Sequence, residues 1–172
     1  MIEVGEPEIK AVTRVLRSGE LFRYHPGGEA KRFEDEYAAT LGARYVQLTA
    51  SGTTALTSAL ASLGIGPGDE VIVPAHTYLA TAMAVLTCGA IPVIVDIDDS
   101  ITLDPVAFEK AIGPQTRAVI PVHMWGFVCD MRAILKVARR HKLLVIEDCC
   151  QCIGGSYRGK MVGTLGQSGA YS

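Results

Sequence analysis

Apolar residues recur along this chain in two alternating rhythms, one spaced for helices and one packed into short continuous runs. Ile9, Val12, Val15 and Leu16 make one stripe, which predicts a helix over residues 7–18 with Pro7 in its first turn and Gly19 as its stop. Ala30, Phe33 and Tyr37 share a face of a second helix, residues 29–41, closed by Gly42. From there the units repeat: a strand at 45–48, a helix at 53–63, a glycine-rich turn at 64–69 and a strand at 71–73 ended by Pro74. A helix at 78–87 and a strand at 92–95 follow. Asp104 as N-cap and Pro105 behind it start a helix that runs to Ile112. A strand at 118–122, a helix capped by Asp130 and running to Arg140, and a strand at 143–146 complete the alternation. After Gly154 the pattern dissolves into glycine-rich turns, and 169–172 reads as a strand beginning.

Strands and helices alternating with short gaps predict an α/β fold with a mainly parallel central sheet flanked by helices. The strands are continuous apolar runs, so helices should cover both faces of the sheet. Ligands of such sheets bind at the carboxyl ends of the strands, so the strand exits are where chemistry is expected.

Composition narrows the partners. A formal net charge of -2 leaves no basic footprint for nucleic acid. No apolar run approaches the ~18 residues of a membrane helix. Residues 1–10 hold a proline and three glutamates, unlike a secretory signal, so a cytoplasmic protein is expected. Of the five cysteines, Cys149, Cys150 and Cys152 cluster. Their C-C-x-C spacing matches no zinc knuckle, and a metal would need Cys129 or His123 as a further ligand. Packing at the end of a core strand is the plainer reading, and no metal is expected.

Three exits carry candidate chemistry. Ser51-Gly52-Thr53-Thr54-Ala55 puts small and hydroxyl residues between a strand and a helix N-terminus, which suits a phosphate cradle and equally an ordinary Ser/Thr cap. It has neither the Lys of a Walker loop nor dinucleotide glycine spacing. Tyr78, after Pro74, offers a ring for stacking on a flat heteroaromatic ligand, or a core tyrosine. His76 beside it is given at most a gating role. Glu147-Asp148 directly follows a buried apolar strand, where a carboxylate is costly unless it meets a cation or strong donors. An Asp facing a protonated pyridine nitrogen meets that need, and so does a cap or a structural salt bridge. Gln151 lies three positions on, within reach of the same ring. The acidic run Asp96 to Asp99 reads as a solvated turn, and His123 and Trp125 as packing or pocket wall.

Read together, these segments resemble one family: Ser51 to Leu56 is similar to its S-G-T-x-A-L loop, and G-I-G-P-G-D-E-V-I-V-P from Gly64 to Pro74 to the segment after it. Thr116 to Gly126 and V-I-E-D-x-x-Q from Val145 to Gln151 complete the pattern. The family is the DegT/DnrJ/EryC1/StrS group of fold-type-I pyridoxal-phosphate (PLP) aminotransferases. The resemblance implies that Gly52, Thr53, Thr54 and Ser172 hold the cofactor phosphate, Tyr78 stacks on the ring, Asp148 pairs with its nitrogen as the catalytic carboxylate, and Gln151 meets its hydroxyl side. Thr54 stands where the family usually has Ala, and Cys149-Cys150 where it has Ala-Ala.

The resemblance also sets the expected scope. Residues 1–172 correspond to the N-terminal segment and most of the cofactor-binding large domain, with the Schiff-base lysine and the C-terminal substrate domain lying beyond Ser172. Lys160 sits in a turn and is expected at the surface, so the chain by itself is expected to be inactive. The implied reaction moves an amino group from glutamate or glutamine to the ketone of a nucleotide-sugar, keto-sugar or cyclitol, in a homodimer. A PLP-dependent sugar dehydratase of the same family and a non-catalytic PLP-binding or regulatory module are the alternatives. Leu21-Phe22-Arg23-Tyr24 suggests a subgroup whose Arg23 meets a substrate carboxylate or phosphate.

Overall fold

The computed structural model describes residues 4–172, which divide into two compact units at Leu48 and Thr49. In the first unit, α1 (Glu6–Ser18) starts where the Glu8 carboxylate accepts the Gly5 N–H at 2.8 Å, and ends at Gly19 in the left-handed region. Its stripe stays open, with Val12 59% and Leu16 64% exposed. α2 (Glu29–Leu41) has the predicted bounds, but its buried residues are Glu34 and Leu41. Phe33 and Tyr37 stack on each other at 5.4 Å, with Phe33 still 46% exposed.

The strand expected at 45–48 does not form. Among the described residues of this unit no extended neighbour offers a ladder, and the Leu48 N–H donates to the Glu34 carboxylate instead (2.8 Å). Tyr45 is 78% exposed beneath the Arg44 guanidinium.

The second unit is the predicted α/β fold. Its elements are α3 (Gly52–Ser62), β1 (Glu70–Pro74), α4 (Ala80–Thr87), β2 (Ile91–Val95), α5 (Pro105–Lys110) and β3 (Thr116–Val119), then α6 (Met131–His141) and β4 (Leu144–Asp148). A two-stranded hairpin, β5 (Ser156–Tyr157) with β6 (Lys160–Met161), precedes β7 (Ser168–Ala170). The five-stranded sheet has the order β2-β1-β3-β4-β7 with every pairing parallel. The hairpin was hidden in the glycine-rich stretch: two-residue strands carry no periodicity, and Arg158 and Gly159 turn between them with positive φ.

Alternation along each strand divides the core. Val71, Val73, Ala118, Ile120 and Ile146 pack on the α3 and α4 side, while Ile72, Val119 and Val145 join Leu103, Phe108, Met131 and Ile134 on the α5 and α6 side. Both faces are therefore covered, which is why these strands read as unbroken apolar runs. Predicted and observed bounds differ by one or two residues at most ends. The helix predicted from 78 begins later, at Ala80, and β3 stops at Val119, after which Val122 makes only an isolated parallel bridge to Asp148. No helix among the described residues is long and apolar enough to cross a membrane.

Candidate functional site

A cleft opens at the carboxyl ends of these strands, lined by Gly52, Thr53, Tyr78, Asp148, Gln151 and Ser172 among others. Six of the seven residues assigned from sequence thus meet in one place. Thr54 is the exception. Its hydroxyl lies 3.0 Å from that of Ser51, and its N–H donates to Ser51 Oγ (3.2 Å), so it completes the N-cap of α3 and does not line the cleft. Of the two readings of this loop, the cap is the one these contacts show. Ser51 caps one turn, and the Gly52 and Thr53 N–H groups have no acceptor within the helix.

Gly52 is required by space. A Cβ here would lie 2.7 Å from Ser172 Cβ and 3.0 Å from Cys150 Sγ. The backbone of α3 and the Ser172 side chain therefore meet at contact distance, forming the wall of a cradle with donors on both sides.

Asp148 ends β4 at 5% exposure. Its Oδ2 accepts from Thr81 Oγ (2.8 Å) and its Oδ1 from the Cys150 N–H (3.1 Å), and it enters no ion pair among the described residues. Two donors leave acceptor capacity in a buried carboxylate that borders a cleft, which calls for a cationic or N–H-bearing ligand. Thr81, fully buried on α4, was not singled out from sequence. Its proton goes to Asp148, so in the 2.7 Å contact between the two hydroxyls Thr77 is the donor. The signal was present as Thr77 and Thr81 at helical i, i+4 spacing after a strand exit.

Tyr78 is 71% exposed with its ring open to the cleft. Gln151 Oε1 accepts the Trp125 N–H (3.4 Å), which leaves the amide NH2 to act as donor. Trp125 is itself held at φ 50° and meets the His76 ring edge-on at 5.0 Å, so it belongs to the cleft's surroundings as an exposed side chain. His123 is in the core. Arg23 is paired in the first unit, its Nε 2.7 Å from the buried Glu34 carboxylate. Lys160 is exposed on β6.

Glu147, next to Asp148, points to the opposite face of β4 and is fully buried. Its Oε1 accepts from the Leu165 (2.7 Å) and Gly166 (2.8 Å) N–H groups, and its Oε2 from Gly163 N–H (2.9 Å) and His123 Nε2 (3.2 Å). Burial would push this carboxyl up, but the hydrogen bonds from His123 and the three amides outweigh it and hold it below its ordinary value. Such a group stabilises the fold fully above its unfolded pKa of about 4.3, and that contribution is lost as pH falls through the lower folded value. Urea unfolding at pH 7 and at pH ~3 should therefore show a larger loss for wild type than for Glu147→Gln. Equal losses would mean that the carboxylate is not held ionised.

His123, Glu147 and Cys149 place donor atoms within 4.8 Å of one another, the grouping that a metal would need. All four acceptor positions of the carboxylate are in use, however, and His123 Nδ1 accepts the Cys129 N–H (3.2 Å). Burial, followed by the Glu147 charge, raises the Cys149 thiol far above the usual range. Cys150 is pushed up to about 12 by burial and then by Asp148, so it adds no charge to the cleft. Cys149 and Cys152 pack with Val162 in a small apolar cluster.

A parallel sheet covered on both faces, with a cleft and a buried carboxylate at its carboxyl edge, defines an α/β domain whose cleft lies where ligands of such sheets bind. The chain belongs to the DegT/DnrJ/EryC1/StrS aminotransferase family, which it matches over residues 3–172. It is 48% identical over 163 residues to the dTDP-3-amino-3,4,6-trideoxy-alpha-D-glucose transaminase of Streptomyces venezuelae, covering 94% of this chain and 42% of that protein. The solved aminotransferase from Psychrobacter cryohalolentis superposes with a TM-score of 0.95 at 38% identity, over 99% of this chain and 43% of that one. The sugar aminotransferase Spr1654 from Streptococcus pneumoniae, described as putative and solved in its PLP form, gives 0.92 at 31% identity, over 99% of this chain and 47% of that one. The chain thus spans about two-fifths of the length of the curated relatives it matches.

Proposed function

We propose that this chain forms the cofactor-binding part of a PLP-dependent aminotransferase acting on the ketone of a sugar, carried as a nucleotide-sugar or keto-sugar, or of a cyclitol. The observation that carries the reading is Asp148: a buried carboxylate with no cation partner among the described residues, lining the same cleft as Gly52, Thr53 and Ser172. The transaminase named above supports the sugar, and the PLP-form structure supports the cofactor.

In this proposal the cofactor, when bound, supplies an electron sink for charge at the carbon that exchanges its amino group. Asp148 holds a proton on the ring nitrogen, and Thr81 fixes the carboxylate that does so. The Gly52 and Thr53 amides and Ser172 hold the phosphate, Tyr78 covers the ring face, and the Gln151 amide donates to the ring oxygen. Glutamate or glutamine provides the amino group, and the intact protein works as a homodimer.

Equilibrium dialysis of the chain against PLP tests the site. Saturable binding of one PLP per chain is expected, competed by inorganic phosphate and reversed on prolonged dialysis, because Lys160 lies on the exposed hairpin. Absence of saturable binding would overturn the assignment. So would a bound fraction that survives dialysis but disappears in Lys160→Ala.

A further inference from the structure

The segment from Gly163 to Ser172 brings one side of the cradle to the cleft, yet little of it is regular structure: β7 has only three residues. Pairing with β4 seats residues 168–170, where the Cys149 N–H also donates to the Ala170 carbonyl (2.8 Å), but residues 163–167 lie outside that ladder and need another anchor. Gln167 ties back to Val145 through its N–H (2.8 Å) and through the amide oxygen that accepts the Val145 N–H (2.7 Å). The largest single anchor is Glu147, which gathers three backbone N–H groups of residues 163–166 on one carboxylate.

His123 fills the fourth acceptor position and is itself fixed. Its Nδ1 accepts the Cys129 N–H, so the proton sits on Nε2 and is donated to Glu147. Its backbone N–H donates to the Asp148 carbonyl (3.0 Å), and the Asp148 N–H to the Pro121 carbonyl (2.9 Å). The same histidine thus touches both the residue that seats the segment and the backbone of the residue that faces the cleft. Close packing leaves the segment little play, since a Cβ on Gly169 would lie 2.5 Å from Gly163.

We propose that Glu147 and His123 are positioning residues that clasp residues 163–172 onto β4 and so set Ser172 against Gly52, holding the phosphate side of the cradle ready before any ligand arrives. The inference rests on the cofactor reading above for what the cradle binds. The clasp itself rests on the hydrogen bonds alone. Glu147 acts through the segment and touches no ligand, because β4 turns it to the face opposite Asp148. Gln at 147 keeps the shape but presents an NH2 group to N–H donors, which breaks the clasp on one side. Gln at 123 can retain the N–H donor that Leu removes.

The test compares PLP with pyridoxal, which lacks the phosphate, on wild type, Glu147→Gln, His123→Leu and His123→Gln. Amide hydrogen exchange is followed in each. Expected are a roughly ten-fold or greater loss of PLP affinity in Glu147→Gln and His123→Leu, pyridoxal affinity within about two-fold, and partial recovery in His123→Gln. The Leu165 and Gly166 amides should lose protection in Glu147→Gln while those of β1 keep theirs. Equal weakening of both ligands, or no change in either, would overturn the proposal. Should the variants not fold, wild type decides. Leu165 and Gly166 protected without PLP to the level of β4 supports the clasp, and exchange at the rate of an open loop sinks it. If wild type binds PLP no more tightly than pyridoxal, the cradle reading fails instead, and amide protection in Glu147→Gln alone judges the clasp.

Discussion

Under the proposed function, Asp148→Asn in the intact protein is expected to reduce turnover on a keto-sugar with glutamate by roughly 10²-fold to several 10³-fold, while the protein stays folded. Removing one partner of a buried charge pair costs about 3–5 kcal/mol, and each 1.36 kcal/mol is a factor of ten. The asparagine has the same shape, so the apolar layer beneath it, Ile146 and Val122, is undisturbed. Its NH2 group can donate to the Thr81 hydroxyl while its oxygen keeps the Cys150 N–H, so what the substitution removes is the negative charge. The loss should appear in kcat more than in KM, because the carboxylate matters most as charge develops on the ring. Turnover within about three-fold of wild type would mean that Asp148 is a structural carboxylate and that the ring lies elsewhere.

Gly52→Ala is expected to lower PLP affinity by up to about 100-fold with little change in melting temperature. Two effects oppose each other in the fold. Alanine in the first turn of α3 gains up to about 1 kcal/mol over glycine, whereas overpacking costs about 1–3 kcal/mol. The methyl group would sit 2.7 Å from Ser172 Cβ, so Ser172 moves away and the structure is relieved. The ligand has no such escape, because the cradle then loses the hydroxyl and part of its width. The lost hydrogen bond from the Ser172 hydroxyl to a charged phosphate, at about 1.5–3 kcal/mol, accounts for a factor of up to about 100. Pyridoxal should be far less affected, and a matching loss for both ligands in fluorescence titration would show that the phosphate does not sit at Gly52.

How much of this was legible before folding can be seen residue by residue. The α/β class followed from continuous apolar strands between helical stripes, because a strand buried on both faces has no polar side to display. Helix limits at Gly19 and Gly42 were readable because each takes the left-handed conformation that glycine adopts most easily. Segment 45–48 misled for a related reason: a strand is defined by its neighbour, and four apolar-leaning residues do not say whether one exists. The β5–β6 hairpin escaped because strands of two residues have no period to detect.

The site divides in the same way. The sequence by itself placed Tyr78, Asp148 and Gln151 after strands and Gly52 and Thr53 at the start of a helix, and the family resemblance added Ser172, so all six were candidates for one cleft although the strand expected before Gly52 does not form. It also supplied the carboxylate pair at 147 and 148, since charge after a buried run is visible in one dimension. Only the tertiary structure decided which carboxylate faces the cleft: adjacent strand residues point to opposite faces, and the face is fixed by where α3 and α4 pack. It alone turned Thr54 into the cap, brought Thr81 from another helix onto Asp148, and closed Glu147 under four donors drawn from residues 123 and 163–166. Those contacts join residues as many as 67 positions apart, and no local pattern records a distance that the chain closes only by folding.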